Sequence, residues 1–199
     1  MESRRQAANQ EKEHTAADRG DHVLVPSRAG KSDVVPTLEL AVLVGLPGAG
    51  KTSFFRARLA GTHVHVSKDV IGHGRDTGRR QLELAAQALR RGQSVAVDNT
   101  NPRAADRAPL IALACRTGAR VVAYVLQTPA REAAARNRAR EGAARVPNVA
   151  VFVTAKRLEP PTLAEGFDAV HRVRAEGGDF TIEPPALESG AATGYNRPQ

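Results

Sequence analysis

The sequence predicts an α/β domain, a parallel β-sheet sandwiched by helices. Three observations carry this. Short Val- and Leu-rich runs alternate with amphipathic stretches long enough for helices. The octapeptide Gly45-Leu46-Pro47-Gly48-Ala49-Gly50-Lys51-Thr52 directly follows the first apolar run. The next two runs end in polar loops, Ser67-Lys68-Asp69 and Asp98-Asn99-Thr100-Asn101.

The first strand is Leu40-Ala41-Val42-Leu43-Val44. The octapeptide after it satisfies G-x-x-x-x-G-K-[ST], the phosphate-binding loop of the P-loop NTPase fold. Gly45, Pro47, Gly48, Ala49 and Gly50 form a tight loop whose backbone N–H groups face phosphates. Lys51 supplies a cation for the β/γ oxygens, and the Thr52 hydroxyl suits Mg²⁺. From Ser53 to Leu59 the chain reads as a helix whose positive end faces the same anion. The alternative, a Gly-rich turn without a ligand, does not call for the Lys-Thr pair. An ATP or GTP site is therefore expected.

Thr62–Val66 alternates and forms the second strand. His63 and His65 share one face of it, but no third ligand lies nearby in sequence, so they are assigned no chemistry. In Thr77–Arg91, Leu82, Ala85, Ala86 and Leu89 fall at helical spacing, and Gly92 closes the helix. Ser94–Val97 is the third strand. Asn101 is expected to cap a helix that opens at Pro102, runs to Arg116 past a kink at Pro109, and stops at Gly118. Arg120–Leu126 is the fourth strand, and Ala130–Arg145 is an Arg-rich lid segment. A helix over Val149–Leu158 and strands at Phe167–Val173 and Phe180–Ile182 complete the domain.

With 199 residues the chain has room for one such domain and two tails. Residues 1–36 and 184–199, interrupted by Gly, Pro and Ser or Ala, read as disordered and flexible tails around a 37–183 domain. The apolar patch His22–Pro26 could add an edge strand, though an unstructured segment fits better. The formal net charge of +8 falls within 37–183, since the N-terminal tail is neutral and the C-terminal tail holds one charge of each sign. A basic domain attracts polyanions such as nucleic acid, or compensates nucleotide phosphates. No segment reaches the length of a membrane span, and the N-terminus lacks the apolar core of a secretion signal. The single cysteine, Cys115, allows no intramolecular disulfide, so a reducing cytoplasm is expected. Among Ala112, Leu113 and Ala114, Cys115 reads as a small buried apolar residue.

The three polar loops should converge at the carboxyl edge of the sheet. Asp69 is placed to accept a proton from an attacking hydroxyl, the alternative being a helix N-cap. Asp98, closing a Val-rich strand, fits a carboxylate that holds Mg²⁺ with Thr52, the alternative being a turn-forming Asp-Asn. Asn99 and Thr100 are substrate-binding candidates of the same loop. Arg136 and Arg140, four residues apart, should share one helical face that closes over a nucleotide and stabilises charge in flight. An exposed basic helix would show the same spacing.

The ordered run GLPGAGKTSF, HVHVSKDVIG, VAVDNTNPRAADR, ARNRAREGAARVP and RLEPPTLAEGFDAV resembles the kinase domain of polynucleotide 5′-kinases, AAA-type members of the P-loop kinase superfamily. It covers about residues 39–173. The phosphate loop is shared superfamily-wide, whereas D-N-T-N-P and P-T-L-A-E-G-F-D are narrower. The resemblance implies transfer of the γ-phosphate of ATP to a 5′-hydroxyl end of DNA or RNA. By position it makes Lys51 and Thr52 the nucleotide and metal residues, Asp69 the general base, Asp98 the metal-side acid, Arg136 a nucleotide contact and Arg140 the arginine on the transferred phosphate. Some members hold the substrate phosphate with an Arg three positions after the base, where this chain has Gly72; Arg75 is the substitute candidate. The basic neighbour before the base is Lys68 rather than Arg. Many such domains are fused to a phosphatase. This chain has no Asp-x-Asp-x-Thr motif, which leaves a separate phosphatase or ligase as a candidate partner. The rival readings are a P-loop kinase for a small hydroxylated molecule and a non-catalytic ATP-binding switch.

Overall fold

The structure, a computed structural model, describes residues 37–68, 76–142, 145–176 and 178–183. Both expected tails and the 22–26 patch lie outside the described residues, as do Asp69 and Arg75. Six strands form one sheet in the order β2-β3-β1-β4-β5-β6. They are β1 (Glu39–Val44), β2 (His63–Val66), β3 (Ser94–Asp98), β4 (Arg120–Leu126), β5 (Ala169–Glu176) and β6 (Asp179–Glu183). The first five are parallel and β6 returns antiparallel to β5. The expected parallel sheet is thus present, with β6 as its one antiparallel strand. The connection from β5 to β6 turns at Gly178, with φ near 90°, and is too short for a crossover, so a hairpin is the available geometry.

Strand β1 shows why the sheet needs two helical layers. Leu40 to Val44 are all fully buried, so both faces of this strand must be covered. Leu40, Val42, Val95, Val97 and Val121 pack against α2 (Thr77–Arg90) and α3 (Ala104–Thr117). The opposite face, with Ala41, Leu43, Ala96, Leu126 and Val173, packs against the remaining helices. These are α1 (Lys51–Phe54, continued by one π turn at Phe55–Leu59), α4 (Ala130–Arg138) and α5 (Asn148–Arg157).

Four expectations change. Helix α3 starts at Ala104, not Pro102, and Asn101 does not cap it. Asn101 is buried with φ 42° and its side-chain amide donates to the Leu43 carbonyl at 2.8 Å, so the group is spent on the end of β1. The cap comes instead from acids: Ala104 N–H donates to Glu159 Oε2 at 2.8 Å and Arg103 N–H to Asp106 Oδ2 at 3.1 Å. Pro109 stands inside α3 without ending it. Cys115 is exposed, because Leu110, Leu113 and Ala114 already take the inward helical positions. Finally, α4 ends at Arg138, so Arg136 and Arg140 do not share a helical face. The chain leaves the helix there because Asn137, fully buried, binds the returning backbone: its amide donates to the Val146 carbonyl at 2.7 Å and accepts from Val146 N–H at 3.2 Å.

Candidate active site

The sheet order reverses direction beside β1: from β1 the chain crosses to the edge strand β2 and returns to β3 on one side, then passes to β4 and β5 on the other. Such a switch point opens a crevice at the carboxyl ends of the strands. The phosphate loop enters it from β1. Gly48 has φ 83°, and a Cβ there would meet the Ala133 carbonyl oxygen at 2.2 Å, so only glycine lets α4 lie directly on the loop. Gly45 and Gly50 also take positive φ, 154° and 95°. Thr128 Oγ1 donates to the Ala49 carbonyl at 2.9 Å and ties the loop to the entrance of α4. Leu46, Pro47 and Ala49 pass through the loop with little exposure, while Ser53 is exposed on the following helix.

Lys51 is buried and its Nζ donates to the Gly45 and Leu46 carbonyls at 3.1 and 2.9 Å, which curls the ammonium over its own loop. Thr52 Oγ1 donates to Asp98 Oδ2 at 2.6 Å. Asp98 sits opposite Leu43 in the register, so its carboxylate stands where β1 gives way to the loop. The paired hydroxyl and carboxylate are hard oxygen donors in the number that Mg²⁺ takes from a protein while keeping water and phosphate ligands. A third group joins them. His65 Nε2 lies 3.0 Å from the same Asp98 Oδ2, and its ring stacks on Phe55 at 4.2 Å. Sequence reading gave His65 no chemistry; its place two strands from β1 on the Asp98 face brings it there.

Asn99 and Thr100 follow. Asn99 Oδ1 accepts from the Lys68 N–H at 3.2 Å, holding the ends of β2 and β3 together, and the Thr100 carbonyl accepts from Gly45 N–H at 3.1 Å. Arg140 reaches the site from the turn beyond α4. It lines one cavity of about 720 Å³ with Pro47, Lys51, Thr52, Asp98, Asn99 and Thr100. Arg136 stands at the loop itself, its Nη1 3.6 Å from where a Gly50 Cβ would be, and pairs with Glu132. The cavity thus gathers Lys51, Thr52, Asp98, Asn99, Thr100 and Arg140, with Arg136 beside the loop rather than in its wall. Asp69 and Arg75 lie outside the described residues, although Lys68, immediately before Asp69, also lines the cavity.

Sequence reading missed the residue that braces this edge. Arg107 is fully buried on α3. Its Nε and Nη2 donate to the two Glu165 carboxylate oxygens at 2.8 and 2.7 Å, and its Nη1 donates to the Asn101 and Glu159 carbonyls at 3.0 and 3.1 Å. The two narrow motifs D-N-T-N-P-R-A-A-D-R and P-T-L-A-E-G-F-D are therefore joined in space by one bidentate ion pair. A buried charge needs such a partner.

A different polar group lies at the opposite, amino edge of the sheet. Glu39 Oε1 accepts from the Tyr124 hydroxyl at 3.1 Å and lies 3.5 Å from His63 Nε2. Burial pushes the Glu39 carboxyl up, but His63, Tyr124 and Arg120 outweigh it and hold the group below the usual carboxylate range. Burial and the Glu39 charge push the Tyr124 phenol up.

Comparison with known proteins gives the family and the fold. The model of a family described as AAA domain matches residues 40–161, more than half of the chain. The chain belongs to this family, as a P-loop kinase domain. It is 30% identical over 142 residues to a protein of Acanthamoeba polyphaga mimivirus named as a bifunctional polynucleotide phosphatase/kinase, covering 68% of this chain and 33% of that protein. It is 28% identical over 139 residues to the bifunctional polynucleotide phosphatase/kinase of Schizosaccharomyces pombe, with the same two coverages, 68% and 33%. The chain thus spans about one third of the length of these relatives. A solved structure of a kinase from Chloroflexus aurantiacus superposes with a TM-score of 0.55 at 18% identity, over 69% of this chain and 85% of that one, which shows the shared fold. Among the described residues no helix is long and apolar enough to cross a membrane.

Proposed function

We propose that this P-loop kinase domain transfers the γ-phosphate of ATP to a 5′-hydroxyl end of DNA or RNA. The observation that carries the reading is the cavity in which a phosphate loop, a Thr-Asp oxygen pair and the Asn99-Thr100 loop are brought together, with residues of α2 and α3 completing its lining. The two polynucleotide phosphatase/kinase relatives support the acceptor class.

In this reading the loop amides and Lys51 hold the β- and γ-phosphates, and Ser53 and Arg136 flank them. Thr52 and Asp98 would hold Mg²⁺, which neutralises phosphate charge when bound. Asp69 takes the proton of the 5′-hydroxyl or orients it for in-line attack on the γ-phosphorus. Arg140 stabilises the charge on the phosphoryl oxygens in flight. Asn99, Thr100 and Arg75 hold the acceptor end. Most of the rate then comes from positioning and electrostatics. A ligase partner would join the 5′-phosphate ends that this reaction makes, and a separate phosphatase is a second candidate partner.

The test is transfer of γ-³²P from ATP with Mg²⁺ to a 5′-hydroxyl oligonucleotide, beside a 5′-phosphorylated control and the Asp69→Asn variant. Labelling of the hydroxyl end alone, lost in Asp69→Asn with ATP affinity retained, is the expected result. ATP binding without any labelling of oligonucleotides would move the acceptor to a small hydroxylated molecule, or the protein to a nucleotide-dependent switch.

A further inference from the structure

The same cavity has a second wall, formed by α2 and α3, that the phosphoryl-transfer chemistry does not use. Gln81 on α2 lines it and is 4% exposed. Its amide Nε2 is enclosed and has no hydrogen-bond partner. A donor in that condition is destabilising by itself and is rare in folded proteins, so it points to a ligand that completes it. Asn99 Nδ2, in the facing loop of the same cavity, is enclosed and unpartnered as well.

The wall around Gln81 indicates the kind of ligand. Leu82, Ala105, Pro109 and Leu110 line it, and Asp106 is its one charged residue. The cations of the cavity, Lys51, Lys68 and Arg140, come from the phosphate loop, the end of β2 and the turn after α4. A wall that adds a carboxylate and no cation is a poor seat for a phosphodiester. A flat, mostly apolar ring with hydrogen-bonding atoms on its edge fits it. Pro109 has no N–H to give the Ala105 carbonyl one turn back, so the α-helical partner of that acceptor is missing on a residue that lines the cavity. The wall offers an amide donor and a backbone acceptor set in an apolar surface.

We propose that Gln81 is a specificity-determining residue that hydrogen-bonds the nucleobase of the acceptor's 5′-terminal nucleotide, seated between α2 and α3. This rests on the polynucleotide-acceptor reading above. Every nucleobase carries an acceptor atom on an edge, so a single amide donor recognises that a base is present without selecting one base. Donor and acceptor then approach from opposite faces of the sheet: the nucleoside triphosphate from the side of α1 and α4, the terminal base from the side of α2 and α3.

The experiment compares two 5′-hydroxyl oligonucleotides that differ only at the first position, one with a base and one with an abasic tetrahydrofuran residue, using the full chain. Wild type should prefer the base-bearing acceptor by tenfold or more in kcat/KM. Gln81→Met, which keeps the length of the side chain but not its amide, should narrow that preference by about fivefold, the equivalent of one hydrogen bond of about 1 kcal/mol. The change should appear in the acceptor KM and not in the KM for ATP. Equal use of the two acceptors by wild type overturns the proposal without any variant. So does a Gln81→Met that slows both acceptors alike. Absence of transfer to either oligonucleotide by wild type is a different failure, and removes the polynucleotide-acceptor reading on which the base contact depends.

Discussion

Replacing Arg107 with Ala should destabilise the domain by about 4–5 kcal/mol. The guanidinium is fully buried and makes four hydrogen bonds, two to Glu165 and one each to the Asn101 and Glu159 carbonyls. Breaking a buried ion pair by removing one partner costs about 3–5 kcal/mol, because the other charge is left without compensation. The Glu165 side chain is 15% exposed, so water can reach it in part and the lower half of that range applies to the pair. The two carbonyls add about 1 kcal/mol, since each keeps a second lone-pair site that water entering the cavity can use. Glu165→Ala should cost less than Arg107→Ala only if the carbonyls keep the guanidinium satisfied, and the double variant Arg107→Met with Glu165→Leu should recover at least about 1 kcal/mol over the sum of the two single losses. The chain has no Trp, so urea unfolding is best followed by far-ultraviolet circular dichroism. An Arg107→Ala loss below about 1 kcal/mol, or strict additivity in the double variant, would refute the account of this ion pair as the brace of the site.

Gly48→Ala should destabilise by more than about 1 kcal/mol and weaken nucleotide binding, since the added Cβ meets the Ala133 carbonyl at 2.2 Å at φ 83°. A neutral result in unfolding and binding assays would contradict the close approach of α4 to the loop. Asp98→Asn keeps an oxygen near Thr52 but removes the charge, so the Mg²⁺ concentration for half-maximal activity should rise roughly tenfold or more; an unchanged Mg²⁺ titration would take Asp98 out of the metal site. The folded-state pKa of Glu39 is depressed, so its contribution to stability is present above the unfolded-state value and is lost as pH falls through the folded one. Glu39→Gln should therefore flatten stability against pH on the acid side, below the ordinary carboxylate range, in urea unfolding at a series of pH values. An unaltered acid slope would show that Glu39 is not the group responsible.

Much of the fold was legible because it is governed by local patterning. The apolar run at 40–44 reads as a strand because a phosphate loop follows it directly, and the octapeptide carries its own geometry in its glycines. Asp98 and Thr52 could be paired on paper because one ends a strand and the other begins a helix at the same edge. Local patterns fail where a side chain is committed to a distant partner. Asn101 looks like a helix cap, but the end of β1 claims its amide; Arg136 and Arg140 look like one helical face, but Asn137 between them binds Val146 and ends the helix. Arg107 looks like one more surface arginine and is the most deeply buried charge among the described residues.

The sequence by itself determined the α/β class, the phosphate loop and the set of polar loops that meet at one edge, since each depends on spacing within a short stretch of chain. Tertiary structure alone decided which of those groups touch. It brought His65 to Asp98, closed α4 over Gly48, returned β6 as a hairpin, and enclosed the Gln81 amide on the far wall of the cavity. Hydrogen bonds between residues tens of positions apart depend on strand order and helix packing, and no local periodicity encodes those.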